Sequence, residues 1–306
     1  MKVIIIGNSA ATPTEKERAY YQQYVDFFQK SASHSSEPVD VHTALFDDLF
    51  IEVGEDSFVI TDTQNDLELC EYNAIFLRGD KFRASMDIIA TINAYAETQG
   101  IYTVNTYENI RDSSKLLQAV NFEQIGVPVA RTLLVNSALF AKFGAGYEWS
   151  FPCIMKARHG SHGNDNYLVK SIDEVREIAE RDAAKGFVLQ RFVENDGDYR
   201  ILIIGGETLV IGRNAQEGTH LNNTSQGGSA SLVENDSVPE KVLQDARKIT
   251  AFYKMTIAGV DALQSKETGE FYFLEVNAQP QLMTGAFTDK KAQMIGKLFD
   301  DLRDKR

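Results

Sequence analysis

The sequence predicts an open α/β layer over residues 1–104, followed by two α+β units over 105–186 and 187–306. Three observations carry that expectation. Strand-like apolar runs alternate with helix-period stretches in the first third, as a layered α/β unit requires. Further on, strand-like runs follow one another directly with helices at their flanks, as in antiparallel α+β sheets. A chain of 306 residues with 43% hydrophobic content can also fill more than one core.

In chain order, Lys2 to Ile6 reads as a buried strand, and an aromatic-rich helix runs from about Glu15 to Gln29. "LFIEV" and "SFVITDT" read as two strands joined at Gly54-Glu55-Asp56, with a further strand over Asn73 to Leu77. The helix from Ala84 to Gln99 sets Ile88, Ile92 and Tyr95 on one stripe and stops at Gly100. "IYTVN" closes the first unit. The second begins with a helix capped by Asp112 or Ser113, carrying Leu116, Val120 and Phe122 and ending at Gly126 before Pro128. Strands "VARTLLV", "FPCIMKAR" and "YLVK" follow, with helices near Ser137 and from Ile172 to Ala183. The third unit opens with "FVLQRFV", "DYRILIIGG" and "ETLVIGRNA". A helix comes next, on which Val242, Ala246, Ile249 and Tyr253 repeat at helical spacing. Two strands joined by a Lys-Glu-Thr-Gly turn then form a hairpin, and an amphipathic helix over Lys290 to Leu302 comes last.

A net charge of -13 leaves no basic surplus to neutralise phosphates, which argues against nucleic acid as a partner. No apolar run approaches the length of a membrane span, and "MKVIIIGNSA" reads as a short strand, not a signal peptide. Cys70 and Cys153 lack metal-ligand spacing and read as buried thiols in a reducing, cytoplasmic setting. No Ser-His-Asp or Cys-His arrangement stands out. The absence of G-x-G-x-x-G after Ile6 counts against a dinucleotide site.

Chemistry concentrates in the last two units. On the hairpin, Glu275 and Asn277 are two apart and share a strand face, and pairing brings Asp261 alongside. Three hard oxygen ligands on one face suit Mg2+; a plain solvated hairpin would show the same polar face. Lys156 ends a strand directly before the loop "ARHGSHGNDN". Glycines there, Gly160 and Gly163, let phosphate approach the backbone while the lysine supplies a point charge. The stretch Gln190 to Val193 could offer backbone hydrogen bonds to a purine edge, with Asp198 and Arg200 on one strand face beyond it. Arg213 closes the next strand, and the loop with Asn223, Gly227 and Gly228 could close over a substrate.

The order of these features resembles the ATP-grasp superfamily, and within it the RimK-like alpha-L-glutamate ligases, over about Asn105 to Pro280. The resemblance implies two α+β lobes clasping ATP behind an N-terminal pre-ATP-grasp domain. It implies Lys115, Lys156, Gly160, Ser161 and Gly163 at the phosphates, and Gln190, Arg191, Phe192 and Val193 at adenine with Asp198 near the ribose. Asp261, Glu275 and Asn277 would hold two Mg2+ ions sharing Glu275, with Mn2+ able to substitute. Arg200 and Arg213 would face the transferring phosphoryl group or its acceptor carboxylate, and Asn223 and Gly228 the acceptor-side loop. The activity implied is ATP-dependent joining of a carboxylate to an amine through an acyl phosphate, on a small molecule, peptide or protein. A macrocycle-forming peptide ligase and a non-catalytic ATP-binding module are the alternatives, and a homo-oligomer stays open. Three positions depart from the glutamate ligases. Gln226 replaces an arginine, Gln281 replaces the glycine after Pro280, and Arg191 replaces an acidic hinge residue.

Overall fold

The computed structural model describes residues 1–7, 14–55, 57–78, 86–107, 114–160, 165–214 and 229–303. The first strand, β1 (Lys2–Gly7), is buried on both faces, as a run of four β-branched residues predicts. Helix α1 (Glu15–Ala32) starts at Thr14, whose hydroxyl caps Glu17 N–H while the Glu17 carboxylate returns to Thr14 N–H. It leads into β2 (Asp40–Leu45), a strand the sequence reading did not anticipate. An antiparallel ribbon follows, β3 (Leu49–Val53), β4 (Phe58–Asp62) and β5 (Leu67–Glu68). Strand β6 (Ala74–Arg78), helix α2 (Met86–Gln99) and strand β7 (Tyr102–Val104) complete the layer. Its parallel sheet has the order β2-β1-β6-β7, so the strand order reverses between β1 and β6.

Helix α3 (Lys115–Gln124) is capped by the Ser114 hydroxyl; the expected caps Asp112 and Ser113 lie outside the described residues. Its buried face passes through Gln118 and Phe122, not Val120, which is 42% exposed. Beyond it come β8 (Thr132–Val135), α4 (Ser137–Gly144), β9 (Cys153–Ala157), β10 (Asn166–Val169), α5 (Ile172–Arg181) and β11 (Phe187–Arg191). These strands make an antiparallel sheet in the order β10-β9-β11-β8. Strand β11, expected to open the third unit, thus pairs with the strands before it.

The last sheet has the order β14-β13-β12-β15-β16. It comprises β12 (Asp198–Ile204), β13 (Glu207–Asn214), the unanticipated β14 (Ser229–Val233), and, after α6 (Glu240–Phe252), β15 (Ile257–Gln264) and β16 (Phe271–Asn277). Helix α7 (Thr288–Arg303) ends the fold. One face of this sheet, through Ile201, Ile203, Val210, Ala258 and Val260, packs with Val242, Ala246 and Ile249 of α6. The other, through Leu202, Ile204, Leu209, Ile211 and Ile257, packs with Ile295, Leu298 and Phe299 of α7. Of the two cysteines, Cys153 is buried as expected, but Cys70 is exposed because its short turn leaves the thiol at the surface.

Asn105 ties the end of the first layer to the last sheet. The residue is 2% exposed and has a positive φ of 60°. It donates to Ile257 O and Ala278 O, at 2.6 and 2.9 Å, and accepts from Thr256 and Ile257 N–H, at 2.9 and 3.0 Å. The amide therefore satisfies backbone groups of Thr256, Ile257 and Ala278 just beyond the end of the β15–β16 pairing. Asn105→Leu would orphan several buried backbone groups at once, at about 1–3 kcal/mol each. Urea unfolding should show a loss of at least about 3 kcal/mol, with the cost well above that of an average substitution.

Candidate functional site

The site begins where the α7-facing side of the last sheet turns from apolar to charged. On β12, Leu202 and Ile204 lie in the core, and Asp198 and Arg200 continue the same period-2 face. On β13, Leu209 and Ile211 lead to Arg213; on β15, Ile257 leads to Gly259 and Asp261. Register sets these residues opposite one another: Asp198 faces Arg213, Arg200 faces Asp261, and Asp261 faces Glu275.

Glu275 reaches that face through a bulge. Phe271 and Phe273 lie in the core under α6, so strict alternation would send Glu275 there too. The β15–β16 register shifts by one residue between Asp261 and Ala262, and Leu274 is the extra residue. The bulge turns Glu275 and Asn277 towards Asp261 while Val276 and Ala278 stay in the core. The edge of β16 is held by Gln118 of α3, which accepts from Val276 N–H at 2.8 Å and donates to Val276 O at 3.5 Å. Gln118 was not anticipated: a glutamine on a helix gives no sign of the strand it will bind.

The charges form one network. The Arg200 guanidinium pairs with Asp261 through Nε, and through Nη2 at 2.9 Å. Arg213 Nε donates to Asp198 at 2.6 Å, and its Nη2 lies 3.0 Å from Asp261 Oδ2. Asp198, Arg213 and Asp261 are all buried. Burial alone would raise the Asp261 carboxyl, but the two guanidiniums hold it below the usual carboxylate range. Burial pushes Asp198 up, helped by the Asp261 charge and opposed by Arg213. Gly259 makes room for this arrangement, since a Cβ there would sit 2.9 Å from Arg200 Cδ and 3.3 Å from Pro280 Cβ.

The central sheet supplies the second wall. Lys115, the first residue of α3, reaches Gly160 O at 3.0 Å and the Glu275 carboxylate at 3.4 Å. Lys156 Nζ donates to Gln190 Oε1 at 2.8 Å, and Gln190 Nε2 donates to Thr132 at 3.1 Å. Burial pushes the Lys156 ammonium down to about 8, Lys115 adds repulsion, and Glu275 offsets part of it. Gln190 and Arg191 lie in a central strand, with their backbones paired to both neighbours. Their backbone is therefore not the free edge the sequence suggested. Ser161, Gly163, Asn223, Gln226 and Gly228 lie outside the described residues. Asp261, Glu275 and Asn277 offer two carboxylates and an amide oxygen, a donor set that fits Mg2+. Among the described residues, no cluster of three or more His, Cys, Asp or Glu side chains is placed to hold a metal. No helix among them is long and apolar enough to cross a membrane.

Solved structures share this fold over nearly the whole chain. A Chryseobacterium gregarium RiPP-associated ATP-grasp ligase, in complex with ADP and a leader and core peptide, aligns at a TM-score of 0.69 and 16% identity. The alignment covers 98% of this chain and 97% of that one. ATP-grasp ligase PsnB, complexed with a phosphomimetic variant of its minimal precursor, Mg and ADP, aligns at 0.68 and 16%, covering 99% and 98%. The fold is that of an ATP-grasp ligase. In sequence, a probable alpha-L-glutamate ligase of Aliivibrio fischeri (strain MJ11) is 29% identical over 228 residues, covering 70% of this chain and 71% of that protein. Residues 110–301, well over half of the chain, match the RimK-like ATP-grasp domain, and the chain belongs to that family.

Lys156 gives a signed prediction. Its folded value of about 8 lies below the ordinary 10.5, so the ammonium destabilises the fold at neutral pH. That cost is fully present below pH 8 and is relieved as pH rises towards 10.5, where the unfolded chain holds the proton and the folded one does not. Lys156→Met should therefore stabilise the ligand-free protein at pH 7, and denaturation at several pH values should show the gain shrinking above pH 8.

Proposed function

We propose that this chain uses ATP and Mg2+ to activate a carboxylate as an acyl phosphate and passes the acyl group to an amine, with a peptide or protein among its substrates. One observation carries the reading. Lys115 links the Gly160 loop to Glu275, so the phosphate-type loop and the carboxylate face meet in one site. The relatives named as glutamate ligases and the solved ligases named with peptides and ADP support it.

In this reading Lys115, Lys156 and the backbone around Gly160 bind the nucleotide phosphates, and Phe192 and Val193 border adenine. Asp198 stands near the ribose only through its partner Arg213, since that ion pair already engages it. Asp261, Glu275 and Asn277 would hold Mg2+, which would supply charge neutralisation during phosphoryl transfer. A substrate carboxylate oxygen attacks the γ-phosphorus and ADP leaves. The amine nitrogen then attacks the acyl carbon, phosphate departs, and the amine gives up a proton. Arg200 and Arg213 stabilise charge on the transferring group. No side chain becomes covalently modified, so positioning and electrostatics must supply the rate.

Relatives whose names give two separate partners, such as a glutamate–LysW ligase and a tetrahydromethanopterin:alpha-L-glutamate ligase, favour this reading over macrocycle formation and over a binding-only module. Phosphate release measured against a panel of amino acids, peptides and proteins should find an acceptor that stimulates ATP turnover. Glu275→Gln should cut that turnover at least about a hundredfold with the fold intact; full activity in the variant would remove Glu275 from the metal site.

A further inference from the structure

Strand β16 ends its sheet, and side chains from earlier in the chain hold its outer edge. Past the bulge, alternate residues are met in turn. Gln118 binds Val276, Asn105 donates to Ala278 O, and Arg78 Nη2 donates to Pro280 O at 2.9 Å. Asn277, between the first two, is engaged as well: Gln279 N–H donates to its Oδ1 at 2.8 Å. An amide oxygen has a second lone pair, which stays free for a metal. The Gln279 side chain then returns to the first layer. Its Nε2 donates to Leu77 O at 3.2 Å and meets the Tyr107 hydroxyl, which itself donates to Leu77 O at 3.0 Å. Consecutive residues at the end of β6, Leu77 and Arg78, thus grip consecutive residues after the metal face, Gln279 and Pro280.

These contacts are expensive to keep. Arg78 is 2% exposed, and among the described residues no carboxylate pairs with it. Its guanidinium lies over the Tyr24 ring, 5.4 Å from the centroid. Arg78 Nε and Nη1 are buried without a hydrogen-bond partner, and so is Gln279 Oε1. Buried polar groups left unpaired cost stability, and a hydrophobe of similar volume in place of an unpaired cation is neutral or stabilising. Fold stability alone therefore does not account for Arg78. Its hold on Pro280, three residues beyond Asn277, does.

We infer that Arg78 and Gln279 are positioning residues for Asn277, so that the first layer contributes to Mg2+ affinity without supplying a ligand. The inference rests on the ligase reading and deepens it, by naming what sets the metal end of the site. A ligand at the end of an edge strand can turn away from its neighbours. The grips on Gln279 and Pro280 hold the Asn277 oxygen on the face it shares with Glu275, as partners behind a metal ligand do. Neither Arg78 nor Gln279 takes part in phosphoryl transfer.

The test measures ADP binding to the whole protein by calorimetry, in EDTA and across a Mg2+ titration. Arg78→Met and Gln279→Leu should each raise the Mg2+ concentration for half-maximal tightening at least about tenfold. ADP affinity in EDTA should stay at the wild-type value, which a merely structural role would not spare. Arg78→Lys keeps a donor for Pro280 O and should recover most of the Mg2+ affinity. Arg78→Met should fold, for the reason given above, and Gln279→Leu reads the same link through a neutral residue of similar size. Wild-type Mg2+ dependence in both variants overturns the inference and leaves the ligase reading standing. So does a loss of ADP affinity that is equal in EDTA and in Mg2+. A wild type whose ADP binding ignores Mg2+ overturns the metal reading itself, and the inference with it.

Discussion

The arrangement turns on Asp261. Its buried carboxylate takes both guanidiniums, Arg200 and Arg213, and Arg213 also holds Asp198. Each member would be costly to bury alone, and removing one partner of such a network costs about 3–5 kcal/mol. The network therefore fixes strands β12, β13 and β15 in one register at their charged ends. It also keeps a carboxylate ionised beside Glu275 in a setting that burial alone would neutralise. A ligand-free chain with this geometry holds its metal-type carboxylate in place through cations of its own.

The opposite wall is built under tension. Lys115 and Lys156 approach the same carboxylate face from α3 and β9, and Lys156 has only the Gln190 amide as a direct partner among the described residues. In the proposed reading, positive charge thus gathers where phosphates would enter and negative charge where a divalent cation would. Both are partial debts that a metal–nucleotide complex would settle together.

Much of the fold was legible in the sequence. The α/β layer, the antiparallel body and the β15–β16 hairpin follow from periodicity, and Val242, Ala246, Ile249 and Tyr253 are buried as their spacing predicts. The site was legible as a set of residue types in order. What escaped depended on residues distant in sequence. The bulge at Leu274 inverts the face on which Glu275 points, and two-residue alternation after Phe271 and Phe273 gives the wrong side. Gln118 and Asn105 are ordinary polar residues until β15 and β16 arrive beside them. Strand β14 is rich in small polar residues and depends on β13 for its pairing.

The central claim is that the carboxylate face of β15 and β16 is the metal end of a nucleotide site. Calorimetric titration of ADP, in Mg2+ and in EDTA, into wild type and Glu275→Gln tests it without any need for the substrate. The account predicts that Mg2+ tightens ADP binding to wild type, whereas the variant binds ADP equally in both conditions. A variant that keeps the full Mg2+ effect would contradict it.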